Sequence, residues 1–146
     1  MHLVTSVNGV FHSMDLTKAS VHDVDVLKEI KYGKMSNATL VGDKGYISKE
    51  EKIDLFETCN IRLETPKRSN QKDQGQWHPV FRKCRKRIET LFSQLCDQMM
   101  LKRNYAKSLG GLITRLITKI AAVTILQSLN YENKKPLNHL KHALAA

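Results

Sequence analysis

The first sixteen residues show the period-two pattern of β-strands. Residues 2–7 and 10–16 alternate apolar with polar positions, and Asn8-Gly9 separates the two runs. An Asn-Gly pair in this setting predicts a β-hairpin with a type I′ turn, because both central residues of that turn need positive φ. The chain is therefore expected to begin with two paired strands.

Longer amphipathic stretches predict helices further along. Ser20 is expected to cap a first helix that ends at Gly33, and Ser48 a second helix that runs to about Cys59. The other predicted elements are short apolar strands over 38–42 and 61–65, a polar loop over 67–79, a long helix over 80–103 and a last helix after Ser108. This order predicts an α/β fold with a mixed sheet and flanking helices.

The last helix carries an apolar face, and a polar segment follows it. The face consists of Leu112, Ile113, Leu116, Ile120 and Val123. One domain is therefore expected over residues 1–130. The segment 131–146 is rich in Asn and Lys, contains Pro136, and is expected to form a fraying tail.

The charge of the chain indicates what it binds. There are 24 Lys and Arg against 14 Asp and Glu, a net charge of +10. The electric field of such a positive chain favours a polyanionic partner. Nucleic acid is expected before a membrane surface. Three cysteines without a CxxC pair argue against disulfides and zinc, and suit the cytoplasm. No signal peptide and no long apolar run is found, so no membrane partner is expected.

Asp43 is the first candidate for chemistry. It directly follows the predicted buried strand 38–42, and ligands of α/β sheets bind at the carboxyl ends of strands. Gly45, two residues later, would allow a sharp turn that holds the carboxylate at the sheet edge, where it could bind a hard cation. Alternatively, Asp43 could only form hydrogen bonds with the backbone of its own turn, and the sequence favours both roles equally.

Glu89 is the second candidate, inside the long helix and beside an apolar stripe. A carboxylate near apolar neighbours needs a cation or loses solvation free energy. A simple ion pair with Arg85, four residues earlier, is the alternative and is favoured by the local sequence alone.

A run of cations lies just before Glu89. It comprises Arg82, Lys83, Arg85, Lys86 and Arg87. At least three of these side chains must point outward, where they could contact DNA phosphates without reading sequence, although a plain solvated face remains possible. Lys44, beside Asp43, is assigned to the same DNA contact.

Other residues carry weaker signals. His22, Asp23 and Asp25 could form a metal cluster, but helix capping explains Asp23 better. Trp77 could stack on a base or cover a core edge. The chain has no Walker A loop, no GxGxxG and no Gly-x-Ser-x-Gly, so nucleotide hydrolysis, dinucleotide redox chemistry and serine hydrolysis lack support.

Two of these segments resemble a known family. Residues 41–47 (VGDKGYI) and 85–95 (RKRIETLFSQL) are similar to the second-Asp motif and the Arg…Glu helix of bacterial insertion-sequence transposases of the DDE class. The similarity runs from the hairpin to about Leu129. It implies a ribonuclease-H-like fold with an extra C-terminal helix, and double-stranded DNA (element ends and target) as substrate.

The resemblance also implies roles for individual residues. Asp43 and Glu89 would be the second and third metal-binding carboxylates of a two-Mg²⁺ site, and Arg85 would lie near the phosphate. Two positions depart from the family pattern, because Arg82 replaces a Tyr and Cys96 replaces a Lys.

The family's first Asp lies on a central strand that precedes the hairpin. We therefore expect a truncated, nucleoid-associated cytoplasmic transposase fragment with that strand missing, low stability, and no activity alone. Substitution by Asp15, Asp23 or Asp25 is not expected, because none ends a parallel central strand.

Other functions remain open. The chain could be a non-catalytic basic DNA-binding module, or a partner that interferes with a full-length transposase by pairing with it. It could also form a homo-oligomer, or be a nuclease or resolvase relative with a rearranged site.

Overall fold

The structure is a computed structural model that describes residues 1–67 and 78–144. Its elements are β1 (His2–Thr5), β2 (Phe11–Asp15), α1 (Asp23–Ile30), β3 (Ala38–Val41), α2 (Lys49–Cys59), β4 (Ile61–Glu64), α3 (Pro79–Asp97) and α4 (Leu109–Glu132), with two 3-10 turns at Lys44–Tyr46 and Leu140–His142. The predicted mixed α/β class is confirmed. Most of the predicted polar loop, with Trp77, lies outside the described residues.

The chain divides into two compact units. Unit 1 comprises Met1–His2 and Asp15–Arg85, and unit 2 comprises Leu3–Met14 and Lys86–Ala146. Among the described residues the strands form two separate two-stranded sheets, β1 with β2 and β3 with β4, where the sequence predicted one mixed sheet. Each unit has its own apolar core.

Unit 1 is organised around the parallel pair β3 and β4, which are in register over all four residues of each strand. A parallel pair needs a crossover connection, and α2 provides it. The inward residues of β4, Ile61 and Leu63, are buried together with Leu27 of α1 and Leu55 of α2. This core fixes the end of β3, where the candidate carboxylate lies.

The ends of α2 are set by local hydrogen bonds. The Ser48 hydroxyl accepts from the Glu51 amide at 3.2 Å, which confirms the predicted cap. At the other end Asn60 adopts the left-handed conformation (φ 53°), and its amide donates to the Phe56 carbonyl. Asn is one of the few residues that tolerates this conformation, so α2 stops there.

Unit 2 has its core between α3 and α4. Leu91 and Leu95 of α3 are buried with Ile120 and Val123 of α4 and with Leu140 of the C-terminal segment, and half-buried apolar residues of the hairpin pack against them. The predicted apolar face of α4 is therefore confirmed at its centre.

The hairpin turn differs from the predicted type I′. Gly9 has positive φ (83°), but Asn8 does not, and the Gly9 amide donates to the Ser6 carbonyl at 2.9 Å. This geometry is typical of a longer hairpin loop in which a left-handed glycine follows the turn. The Gly9 carbonyl accepts from the buried Gln127 side chain at 3.0 Å, which ties the turn to α4.

Two helices differ from the predicted bounds. His22, without a side-chain cap bond, precedes α1, so the predicted cap at Ser20 is wrong. Helix α3 ends at Asp97, because Met100 is left-handed (φ 52°) and the Leu101 amide donates to the Leu95 carbonyl at 2.9 Å. No glycine marks this helix end, which is why the sequence predicted a longer helix.

The C-terminal segment packs against unit 2, contrary to the predicted fraying. Leu140 and Ala143 are 4% exposed. The Asn138 side chain donates to the Asn8 carbonyl at 3.0 Å and accepts from Gln127 at 2.9 Å. Apolar burial and these bonds offset the entropy lost when the segment is ordered.

Helix α4 is long and apolar enough, by length and composition, to cross a membrane, contrary to the expectation that no segment meets this test. A single such helix is weak evidence. It supplies Ile120 and Val123 to the core of unit 2, and two of its buried residues, Gln127 and Asn130, are polar. Packing accounts for only part of its composition, because Leu109, Ile117 and Ile125 are more than half exposed.

Two glycines of unit 2 should respond oppositely to alanine. A Cβ on Gly9 would stand 2.9 Å from Cδ of Arg87 and would need positive φ, whereas a Cβ on Gly110 of α4 meets nothing within 4 Å. We expect Gly9→Ala to lower the free energy of unfolding by about 1–2 kcal/mol. Gly110→Ala should raise it by about 0.5–1 kcal/mol. Urea denaturation measures both changes, and equal signs would contradict the described turn.

Candidate metal and DNA sites

Asp43 lies where the sequence placed it, just past the carboxyl end of β3. The Gly42 amide still donates to the Glu64 carbonyl of β4 at 2.9 Å, and the chain turns immediately afterwards. Asp43 is exposed, and its Oδ1 accepts from the Gly45 amide at 2.8 Å. The turn-forming aspartate and the exposed strand-end carboxylate are therefore the same residue.

Two glycines allow the turn to be compact. A Cβ on Gly42 would meet the Tyr46 ring at 3.2 Å, so Gly42 lets this ring fold against the end of β3. A Cβ on Gly45 would lie 2.3 Å from Oδ2 of Asp23 and 3.1 Å from Oδ1 of Asp43. Gly45 does not have positive φ. The predicted reason for this glycine is wrong, since side-chain approach requires it rather than backbone conformation.

The Asp23 carboxylate therefore approaches the Asp43 turn from α1. Both carboxylates have an oxygen within 3.1 Å of the place that a Cβ on Gly45 would occupy. Asp23 belongs to the first turn of α1, which favours a negative charge. Its side chain makes no cap bond. The prediction that Asp23 serves as a helix cap is thus not supported by the geometry.

Tyr46 connects this turn to the start of the chain. Its hydroxyl is 2.6 Å from Nδ1 of His2, and Nε2 of His2 is 3.0 Å from the Thr17 hydroxyl. The His2 and Tyr46 rings meet edge to face, with centroids 6.0 Å apart. These residues all belong to unit 1, and together they hold the ring that supports the turn.

The electrostatics of the turn are dominated by negative charge. Burial raises the pKa of Tyr46 to about 12, and the charges of Asp23 and Asp43 contribute to the rise because they oppose a phenolate. The Tyr46 hydroxyl therefore stays protonated at neutral pH. Its environment favours a positive charge over a further negative one.

Glu89 is exposed on α3 and belongs to unit 2, whereas Asp43 belongs to unit 1. Because a helix repeats every 3.6 residues, Glu89 shares one outward face with Lys86, one turn earlier, and Arg82, two turns earlier. Pairing of Glu89 with Asp43 in one site stays a prediction.

The cationic run of α3 points largely to solvent. Arg82, Lys83, Arg85 and Lys86 are exposed, which confirms that at least three point outward. Arg87 is half-buried, because its aliphatic stem lies against Gly9. Lys44 is exposed beside Asp43.

The donors at the Asp43 turn fit a hard divalent cation in part. Carboxylate oxygens are the ligands that Mg²⁺ prefers, and those of Asp43 and Asp23 approach a common point. Within residues 1–67 and 78–144, no group of three or more His, Cys, Asp or Glu side chains is placed to hold a metal, the predicted alternative of His22, Asp23 and Asp25 included.

The described residues thus include an exposed strand-end carboxylate, Asp43, and a helix with exposed cations, α3. The family model described as the transposase DDE domain matches residues 1–125. The chain therefore belongs to the DDE transposase domain family. No curated protein and no solved structure matches it.

Sequence reasoning missed the surroundings of Asp43. Asp23, Tyr46 and His2 are separated along the chain, and no spacing rule connects them. The one available signal was Gly45, because a glycine two residues after a candidate ligand often marks a close approach. The sequence did not reveal which side chain approaches.

The contact at Gly45 predicts a specific coupling. Gly45→Ala should lower the free energy of unfolding by about 1 kcal/mol, because the Asp23 side chain must rotate away. In an Asp23→Ala background this cost should nearly vanish. Asp25→Ala is the matched control, since Asp25 is on the same helix but pairs with Lys28 at 2.9 Å. Chemical denaturation of the four variants gives the coupling, and equal costs in both backgrounds would refute the described contact.

Proposed function

We propose that the chain is a catalytic part of a DNA transposase that moves an insertion sequence by metal-dependent cutting and joining of phosphodiester bonds. The observation that carries this proposal is the Asp43 carboxylate, exposed past the end of a parallel strand in a chain of the DDE family. Double-stranded DNA is the substrate, and the nucleoid in the cytoplasm is the place of action.

Each group has a defined part in this chemistry. Asp43 and Glu89 would hold the divalent cations, and the chemistry that such cations would supply is activation of the attacking oxygen and stabilisation of the leaving oxygen. The Gly45 amide holds one oxygen of Asp43, so the carboxylate is oriented before the metal arrives. The cations of α3 and Lys44 bind the DNA backbone, which positions the scissile phosphate without reading its sequence.

A second candidate is a non-catalytic DNA-binding module. The observation that favours it is the absence, within the described residues, of a metal-binding group of three or more side chains. A site with two carboxylates leaves much of the charge of two Mg²⁺ ions uncompensated. In this reading the cations of α3 bind DNA with or without metal.

Cleavage distinguishes the two candidates. Metal-dependent nicking by this chain, on a DNA fragment that contains the element end, would support the catalytic candidate and overturn the expectation of no activity alone. Such nicking should fall at least about 100-fold in Asp43→Asn and in Glu89→Gln. Asp25→Asn, which removes an exposed carboxylate away from the turn, should retain it. Equal DNA affinity with and without metal, and no nicking, would leave the binding module as the function.

DNA affinity should depend on the outward cations of α3. The double substitution Lys83→Gln and Lys86→Gln should weaken duplex binding for all sequences. It should also reduce the slope of log affinity against log salt by about 0.9 for each phosphate that is no longer neutralised. Lys34→Gln with Lys52→Gln, both exposed in unit 1, is the control. Fluorescence anisotropy over a salt series measures this, and an unchanged slope would contradict the role of α3.

A further inference from the structure

The loop between α3 and α4 has a composition that the proposed catalytic chemistry does not use. Residues 98–131 contain five cations and no acid. Three of the cations, Lys102, Arg103 and Lys107, lie in the loop itself, and all three are exposed. None of them forms an ion pair in the part of the chain that the structure describes. The loop is thus a concentrated positive surface of unit 2.

An exposed aromatic ring lies among these cations. Tyr105 is 78% exposed and stands between Arg103 and Lys107 in the sequence. An exposed ring is ordinary by itself, but the Tyr105 ring has cations and no acid among its neighbours in the loop. A cationic surface with a protruding ring is typical of sites where a nucleic-acid base stacks while phosphates are neutralised.

The position of the loop is set by α4. The Lys119 ammonium donates to the Met100 carbonyl at 2.7 Å, which ties the start of the loop to the third turn of α4. The other end is fixed by Ser108, whose hydroxyl caps α4 by accepting from the Gly111 amide at 3.1 Å. The loop therefore runs along the first turns of α4, over about 15 Å of helix. Arg115, exposed in the same turns, extends the positive surface.

The conformation of the loop is locally costly. Met100 is held in the left-handed region, which is unfavourable for a residue with a side chain. Both polar atoms of the Asn104 amide are buried without a hydrogen-bond partner among the described residues. Leaving a buried polar group unsatisfied is unfavourable, and local costs of this kind cluster at binding sites.

We propose that Tyr105, with Lys102, Arg103 and Lys107, forms a binding site for an unpaired DNA strand, in which a base stacks on the Tyr105 ring and the three cations contact the adjacent phosphates. An unpaired strand is required because the face of a base is covered in a duplex. The site uses neither Asp43 nor Glu89 and needs no metal, so it goes beyond the proposed cleavage chemistry.

The chain provides a matched control for the ring. Tyr131, near the end of α4, is also 78% exposed and also belongs to unit 2. Its place on α4 is about 30 Å from the helix start, at 1.5 Å per residue. Tyr131→Ala therefore removes an equally exposed ring outside the loop.

Binding is measured by fluorescence anisotropy in EDTA, with a labelled strand of about 12 nucleotides and with its duplex. Tyr105→Ala should weaken binding of the single strand about 10-fold, while duplex binding changes less than about 2-fold. Tyr105→Phe should remain within about 2-fold of the parent chain, because a phenyl ring stacks equally well. Tyr131→Ala should not change binding. An unchanged affinity in Tyr105→Ala, or equal losses in the two alanine variants, would overturn the proposal.

Photocrosslinking tests the contact itself. A single strand that carries 5-iodouracil should crosslink to Tyr105, as identified by mass spectrometry, because stacking brings the ring against the base. Lys102→Gln with Arg103→Gln should reduce the salt slope for the single strand by about 0.7 per cation. Crosslinks confined to other residues, or equal losses for strand and duplex in Tyr105→Ala, would refute the stacking site.

The outcome is independent of the catalytic proposal. Asp43→Asn should bind the single strand as the parent chain does, since EDTA removes metal from both. Absence of nicking by the parent chain, with normal strand binding, would therefore reject only the catalytic role, and nicking without the Tyr105-dependent strand binding would reject only the stacking site.

Discussion

The parallel pairing of β3 with β4 is the constraint on which the candidate metal site depends. The last hydrogen bond of the pair joins the Gly42 amide to the Glu64 carbonyl. The buried side chains of β4 keep the two strands in this register. A one-residue slip would move those side chains to the opposite face, so the register is strongly determined. Asp43 follows the last paired residue. Its position at the strand end is therefore a consequence of core packing rather than of the turn alone.

The turn after β3 concentrates negative charge in an otherwise positive chain. Asp23 and Asp43 approach the same small space at Gly45, and the supporting Tyr46 is held in its neutral form by burial and by these charges. Repulsion between nearby carboxylates is relieved when a cation binds. The turn thus combines a folded support on one side with concentrated negative charge on the other.

The distribution of charge separates two kinds of DNA contact. The outward cations of α3 form a surface suited to duplex phosphates, whereas the loop before α4 adds an exposed aromatic ring to its cations. Phosphate contacts hold a nucleic acid without distinguishing its bases, and an aromatic ring distinguishes an unpaired strand from a duplex. The proposed cutting and joining of DNA ends would involve both forms.

Local sequence rules predicted the elements well where a specific residue sets the boundary. Ser48 caps its helix as predicted, because a hydroxyl three residues before a free amide needs no distant partner. Ser108 caps the last helix in the same way. The rules failed at Met100, where a left-handed residue other than glycine ends α3. They also failed for the C-terminal segment. Its composition suggested disorder, but Asn138 and Leu140 find partners in the hairpin and in the core.

The sequence by itself determined the mixed α/β class, the position of Asp43 at a strand end, the cationic face of α3 and the DDE family. All of these depend on neighbouring residues or on a recognisable motif. Only the tertiary structure decided that Asp23 and Tyr46 surround the Asp43 turn, that Gly45 is needed for space, and that Arg87 lies against the hairpin. The physical reason is that such contacts join residues far apart in the chain, where the choice of partner depends on how the cores pack.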